Sequence, residues 1–218
     1  MSVTDYLTSI VWDGTPRLER WLIDCAGAED MEDVRSAGRE MLIAAVRRAR
    51  SPGCRSDQLL VVDGPAGCCK SGALQVLAVE SSWYGCIDVN AINDARRLRE
   101  NTEGKWLVEI SLEAPFRKIV DAEALKVFLA QAHDEQRLLY GHKKSYIPRS
   151  FIAVGTTCIS AEEDYPGVYF SSRRFSRIRV QPFNLELLRG IRDQLWAEAV
   201  VVEEGRQPAH LRSVAAAL

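Results

Sequence analysis

Val61-Val62-Asp63-Gly64-Pro65-Ala66-Gly67-Cys68-Cys69-Lys70-Ser71 is the stretch whose reading decides the fold. It continues an apolar run that starts at Leu59 and Leu60, long enough for a buried strand and too short for a helix. A turn bearing Gly64 and Gly67 follows, and Lys70-Ser71 opens a helical stretch. Strand, glycine turn and Lys-Ser helix start form the arrangement of a phosphate-binding loop. Backbone N–H groups must converge on an anion there, so bulky side chains are excluded; Gly64, Pro65, Ala66, Gly67, Cys68 and Cys69 include none. The helix start adds partial positive charge. In such a loop Lys70 reaches the β- and γ-phosphates of ATP, and the Ser71 hydroxyl ligates Mg²⁺. One position departs from the G-x-x-x-x-G-K-[ST] spacing: Cys69 stands where the second glycine belongs. A Cβ at that point crowds a phosphate or restricts the loop, and a chance near-match is the competing reading.

Working outward, Trp106-Leu107-Val108-Glu109-Ile110 and Phe151-Ile152-Ala153-Val154 read as further buried strands, with residues 178–180 as a fourth. The first of these is expected beside the loop's own strand. Helical periodicity lies between them, at residues 92–98, 120–129 and 185–202. Strands alternating with helices predict an α/β core with a mainly parallel sheet. Before the loop, Pro16 precedes Leu18, Trp21, Leu22 and Cys25 at helical spacing, and residues 34–50 form a second amphipathic stretch that Ser51-Pro52-Gly53 stops. The chain therefore divides into an N-terminal helical region (1–54), an α/β core (55–204) and a tail (205–218).

The chain has 218 residues, 47% of them hydrophobic and 27% charged, a mix that builds a packed core and is too apolar for a disordered chain. No apolar run approaches the length of a membrane span, and residues 1–12 lack the basic cluster of a signal peptide. Cysteines at 25, 54, 68, 69, 86 and 158 include no C-x-x-C pair, so free thiols in a reducing cytoplasm are expected. His133, His142 and His210 are too scattered for a metal cluster. Net charge is −2, so no global field commits the chain to nucleic acid. Residues 137–180, however, carry eight basic residues (Arg137, Lys143, Lys144, Arg149, Arg173, Arg174, Arg177, Arg179) against three acids, leaving −7 on the rest. A +5 segment on an acidic body reads either as a polyanion-binding face or as a solvated surface.

These motifs, taken in order, resemble the virulence-associated protein E family of phage and prophage ATPases, related to superfamily 3 helicases. Tyr6-Leu7, Trp12-Asp13-Gly14, Pro16-Arg17-Leu18 and Trp21-Leu22 are similar to the family's opening. The 64–71 loop resembles its Walker A motif, and Gly104-Lys105-Trp106-Leu107-Val108-Glu109-Ile110 its Walker B strand. Glu123-Ala124-Leu125-Lys126, then Asp134, Arg137, Tyr140 and Gly141, follow its next block. Gly155-Thr156-Thr157 resembles the sensor strand, Arg173-Arg174-Phe175 the arginine motif, and residues 193–199 the closing helix. The resemblance implies a P-loop NTPase core of the AAA+ or superfamily 3 type, using ATP and Mg²⁺. It further implies a homo-oligomeric ring that acts as a helicase-like motor on single-stranded or forked DNA, in the cytoplasm. Three positions depart from the family: Cys69 for glycine, Leu112 where the family places its second acid, and Cys158 for the sensor asparagine.

Read as chemistry, Glu109 at a strand end holds Mg²⁺ directly or through water. Glu113, one residue beyond the family's second acid, orients water if the strand end is irregular and points away if the register holds. By resemblance, Arg173 or Arg174 is an arginine finger or a cis phosphate sensor, with Arg174 the stronger candidate; a surface pair is the bland alternative. Lys143 and Lys144, near Tyr140 and Tyr146, suit a single strand through phosphate contacts and stacking, while packing explains the tyrosines equally well. The three substitutions touch the nucleotide site and imply either an ATPase with weakened hydrolysis or a degenerate ATP-, DNA- or protein-binding module.

Overall fold

The computed structural model describes residues 1–88, 92, 94–112, 119–137, 144–158 and 173–206. Glu113, Tyr140, Gly141, Lys143 and residues 207–218 of the expected tail lie outside them. Three helices open the chain: α1 (Val3–Ser9), α2 (Trp21–Ala26) and α3 (Glu32–Arg50). Then come β1 (Leu59–Asp63), α4 (Lys70–Leu77), β2 (Tyr84–Asp88), α5 (Ala95–Thr102), β3 (Leu107–Ser111) and α6 (Ile119–Ala130). A hairpin of β4 (His133–Arg137) and β5 (Lys144–Pro148) precedes β6 (Ile152–Thr157), β7 (Phe175–Arg179) and α7 (Leu185–Arg206).

The main sheet has five strands in the order β2-β3-β6-β1-β7, and every pairing is parallel. β3 was expected beside β1, but β6 lies between them and pairs with both. Alternation along the strands divides the core in two. Leu60, Val62, Leu107, Ile152, Val154 and Ile178 pack on α1–α4 and α7. Leu59, Val61, Val108, Ile110 and Ala153 pack on the side of α6, with Leu125, Phe128 and Leu129. The antiparallel β4–β5 ribbon stands apart from this sheet.

The N-terminal helices share the first core with the sheet, and α7 binds them to it. Glu198, buried on α7, accepts the backbone N–H groups of Arg17 (2.6 Å) and Leu18 (3.0 Å). Gln194 accepts from the Asp13 N–H at 2.8 Å and donates to the Val11 carbonyl. The Tyr6 hydroxyl donates to Asp193 at 2.7 Å, and burial together with that carboxylate pushes its pKa up. Trp106 and Trp196 stack with centroids 4.3 Å apart and donate to the carbonyls of Ala45 and Leu77. Both of these indoles thus keep a partner for the N–H, whereas the Nε1 of the equally buried Trp21 has none.

Where sequence and structure differ, local chemistry explains the shift. α5 starts at Ala95 rather than near Ile92 because the Asp94 carboxylate caps it, accepting from the N–H groups of Arg96 and Arg97. β2 is a five-residue edge strand whose two buried positions, Gly85 and Ile87, supply a single large apolar side chain, too little to read as a strand. β4 and β5 are polar ribbon strands with no apolar run to announce them.

Candidate functional site

β1 is buried along its length and delivers the chain to the loop from inside the sheet. At its last residue the buried Asp63 carboxylate takes Arg177 of β7 at 2.7 Å. Gly64 has no room for a side chain: a Cβ would stand 2.8 Å from Val180 Cγ2 and 2.9 Å from Cys68 Sγ. Gly67 has φ +82°, in the left-handed region that glycine enters freely. Cys68 fills space beneath the loop, and its carbonyl accepts the Phe183 N–H at 3.0 Å.

Cys69 is the anomaly. It has φ 63° and ψ 30°, a left-handed conformation that costs a residue with a Cβ about 1–2 kcal/mol. It sits at the N-cap of α4, and its side chain makes no cap bond. The first-turn amides of α4 therefore lack the side-chain partner that Ser or Asp supplies at an ordinary helix start. Lys70 is buried, and its ammonium donates to the carbonyls of Gly64 (2.8 Å) and Pro65 (3.0 Å). An incoming anion meets this ammonium at the loop and competes with those carbonyls for it. An uncapped helix start, an ammonium at its first residue and the Ser71 hydroxyl at its second fit a bound phosphate with a divalent cation.

Glu109 is the second half of the site. It lies on β3, and its side chain is only 3% exposed. Oε1 accepts the hydroxyls of Ser71 at 2.9 Å and Thr156 at 2.5 Å, and Oε2 accepts the Tyr84 hydroxyl. Helix α4 and strands β2, β3 and β6 each contribute one group to this node. Burying a carboxylate this deeply is tolerable because hydroxyl donors surround it. A serine that donates its proton to Glu109 keeps its lone pairs for another partner, which suits a cation ligand. Ser71 follows the carboxyl end of β1 and Thr156 lies near that of β6, while Glu109 is the middle residue of β3 rather than the strand end expected from the sequence, and Tyr84 opens β2.

The other expected residues fall elsewhere. Arg174 is at the opposite end of the sheet from its own loop. Its carbonyl accepts the N–H of Leu59, the first residue of β1, while the loop follows Asp63, the last. Four residues of strand span about 13 Å. Its guanidinium lies 3.7 Å from Asp57 and donates to the Lys126 carbonyl. The structure therefore does not bring Arg174 together with its own loop. Leu112 packs in the second core, 1% exposed, on the face of the sheet away from α4. An acid at this position would point into apolar contacts rather than towards the loop. Cys158 follows β6 directly and is half-buried. Lys144 opens β5 opposite Arg137, on a ribbon where Tyr146 is exposed.

Sequence reasoning assigned no role to Tyr84 or Thr156. Thr156 was visible inside the Gly155-Thr156-Thr157 block, but nothing there marked a bond to Glu109. Tyr84 had no signal at all, since its strand was not expected. Among the described residues no group of His, Cys, Asp and Glu is arranged to hold a metal on its own. A cation here would rest on a hydroxyl and one carboxylate, with remaining ligands from outside the chain.

The fold and this node define an α/β protein with a glycine loop and a buried acid meeting at one end of a parallel sheet. A family model described as the virulence-associated protein E-like domain matches residues 7–216, and the chain belongs to that family. No curated protein matches it. Among solved structures, the A form apo structure of the NrS-1 C-terminal region is similar in fold, with a TM-score of 0.59, 13% identity and 89% of this chain covered. A second apo structure of that region gives the same values. The chain spans about half the length of the NrS-1 region, 48%. No helix among the described residues is long and apolar enough to cross a membrane.

Proposed function

We propose that the chain is a P-loop ATPase of phage or prophage replication, a helicase-like motor on DNA whose hydrolysis is slow. The observation that carries this reading is the Ser71–Glu109 hydrogen bond, 2.9 Å, which joins the loop's helix to the acid of a non-adjacent strand. The amides at the start of α4, Lys70 and Ser71 hold the phosphates of ATP, and Ser71 with Glu109 holds Mg²⁺. Bound Mg²⁺ supplies charge neutralisation at the transferred phosphoryl group. Glu109 keeps the Ser71 hydroxyl turned, and the Lys70 ammonium would exchange the Gly64 and Pro65 carbonyls for phosphate oxygens as its acceptors.

One feature supports slow turnover: Cys69 holds a Cβ in a left-handed conformation at the start of α4, where the loop meets the phosphates. Arg174 lies far from its own loop, so a charge-stabilising role is directed at the nucleotide of a neighbouring copy, in keeping with a homo-oligomeric ring. The β4–β5 ribbon, with Lys144 at the start of β5 and an exposed Tyr146, together with Lys143, is the surface offered to single-stranded or forked DNA. Cytoplasmic location follows from free thiols in a reducing compartment.

Paired measurements of ATP binding and phosphate release test the proposal. Saturable binding with slow, DNA-responsive release is expected. Binding without any release favours the degenerate module, and no binding removes the ATPase reading altogether.

A further inference from the structure

Glu109 reaches its node on a side chain whose last torsion is soft. The terminal torsion of glutamate is broad and two-fold, so rotamer preference does not fix the plane of its carboxylate. Anchoring both oxygens does. Ser71 and Thr156 both load Oε1, which leaves rotation about that end open. Tyr84 takes Oε2 from the other side.

The tyrosine is itself held. It begins β2, pairs with Leu107 two residues ahead of Glu109 in the parallel register, and its ring packs against the larger core. Gln75, one turn beyond Ser71 on α4, lies beside the phenol. Tyr84 thus lies beside the helix that carries Ser71 and touches the acid that accepts the Ser71 proton.

We propose that Tyr84 is a positioning residue for a divalent cation: by fixing the carboxylate plane of Glu109 it aims the lone pairs of Ser71 at the metal. This rests on the phosphate-loop reading above and adds to it a residue from the sheet edge. Tyr84 does not touch the cation or the nucleotide; it acts through Glu109. Losing its hydroxyl lets the carboxylate turn, and the Ser71 hydroxyl turns with it.

The test is a double-mutant cycle of Tyr84→Phe and Glu109→Gln, read as ATP affinity in Mg²⁺ and again in EDTA. Phenylalanine keeps the ring, and affinity in EDTA reports whether the loop is intact. Tyr84→Phe is expected to leave the EDTA affinity within about twofold. It should cut the Mg²⁺-dependent gain by about tenfold or more, the scale of one hydrogen bond to a charged group. In the Glu109→Gln background it should add nothing, because the two act as a unit. Equal losses with and without Mg²⁺ make Tyr84 merely structural and overturn the proposal. Additive losses, or a Tyr84→Phe protein with wild-type Mg²⁺ dependence, overturn it as well. Wild-type protein that binds no ATP under either condition sinks the phosphate-loop reading first, and this proposal with it.

Discussion

The Ser71 hydroxyl donates to Oε1 of Glu109 across 2.9 Å, although β6 separates the strands that lead to the two residues. β6 brings its own donor, Thr156, to the same oxygen. The intervening strand therefore completes the link rather than interrupting it. A loop after one strand and an acid in the middle of another become one polar unit.

Cys69 concentrates the strain of the loop. Cys69→Gly removes a Cβ from a left-handed residue and should stabilise the fold by about 1 kcal/mol. A rise in the urea midpoint with an unchanged slope is the expected signature. Nucleotide affinity should rise with it, because the loop amides can then close on the anion. An unchanged or lower midpoint would show that Cys69 is not strained. Adding Cys158→Asn should raise phosphate release with little further change in affinity.

Leu112 marks where the family's second acid is missing, and restoring it there should fail. Leu112→Glu places a carboxylate among Ile110, Leu125 and Gly155 on the wrong face of the sheet. The expected loss of stability is about 3 kcal/mol or more, the scale of an unpaired buried charge, with no gain in turnover. A stable Leu112→Glu protein with faster phosphate release would show that the strand end turns towards the loop.

Glu198 gives the interlock a pH dependence. Burial raises its pKa above the usual 4.5, outweighing the two backbone N–H groups that favour ionisation. In a window just above 4.5 the folded state therefore holds more protons than the unfolded state, and this group's contribution to stability falls as pH rises. Wild type minus Glu198→Gln, followed by denaturant melts from pH 4 to pH 7, about the window in which such a carboxyl titrates, should decline with pH. A flat or rising difference would contradict the assignment.

Much of the fold was legible because it depends on pattern. The apolar runs at β1, β3 and β6 are buried on both faces, so they read as continuous hydrophobic stretches. The opening and closing motifs, which sequence comparison treats as separate signatures, meet as one interlock: Tyr6 on Asp193, Asp13 on Gln194, Arg17 and Leu18 on Glu198. Lys70, Ser71 and Glu109 were legible because loop chemistry restricts residue type. β2 and the ribbon were not, since an edge strand with glycine at one of its two buried positions and two polar strands carry no apolar signal to detect. Tyr84 was hidden with β2, and strand order was hidden because pairing across a parallel sheet leaves no local trace.

Lys143 and Lys144 carry a salt-dependent prediction. If about three phosphates of single-stranded DNA are neutralised, log K should fall with log salt at a slope of about −2. Lys143→Ala with Lys144→Ala should flatten that slope. An unchanged slope in the double variant would place the DNA contact elsewhere.

Titration of the chain with Mg-ATP, alongside Lys70→Ala, tests the central claim most directly. Lys70 contributes the ammonium that the loop holds at Gly64 and Pro65. The account predicts saturable binding by wild type and a melting shift worth about 2.7 kcal/mol at roughly 100 times the dissociation constant, both lost in Lys70→Ala. No shift at millimolar Mg-ATP, or the same shift in Lys70→Ala, would contradict it.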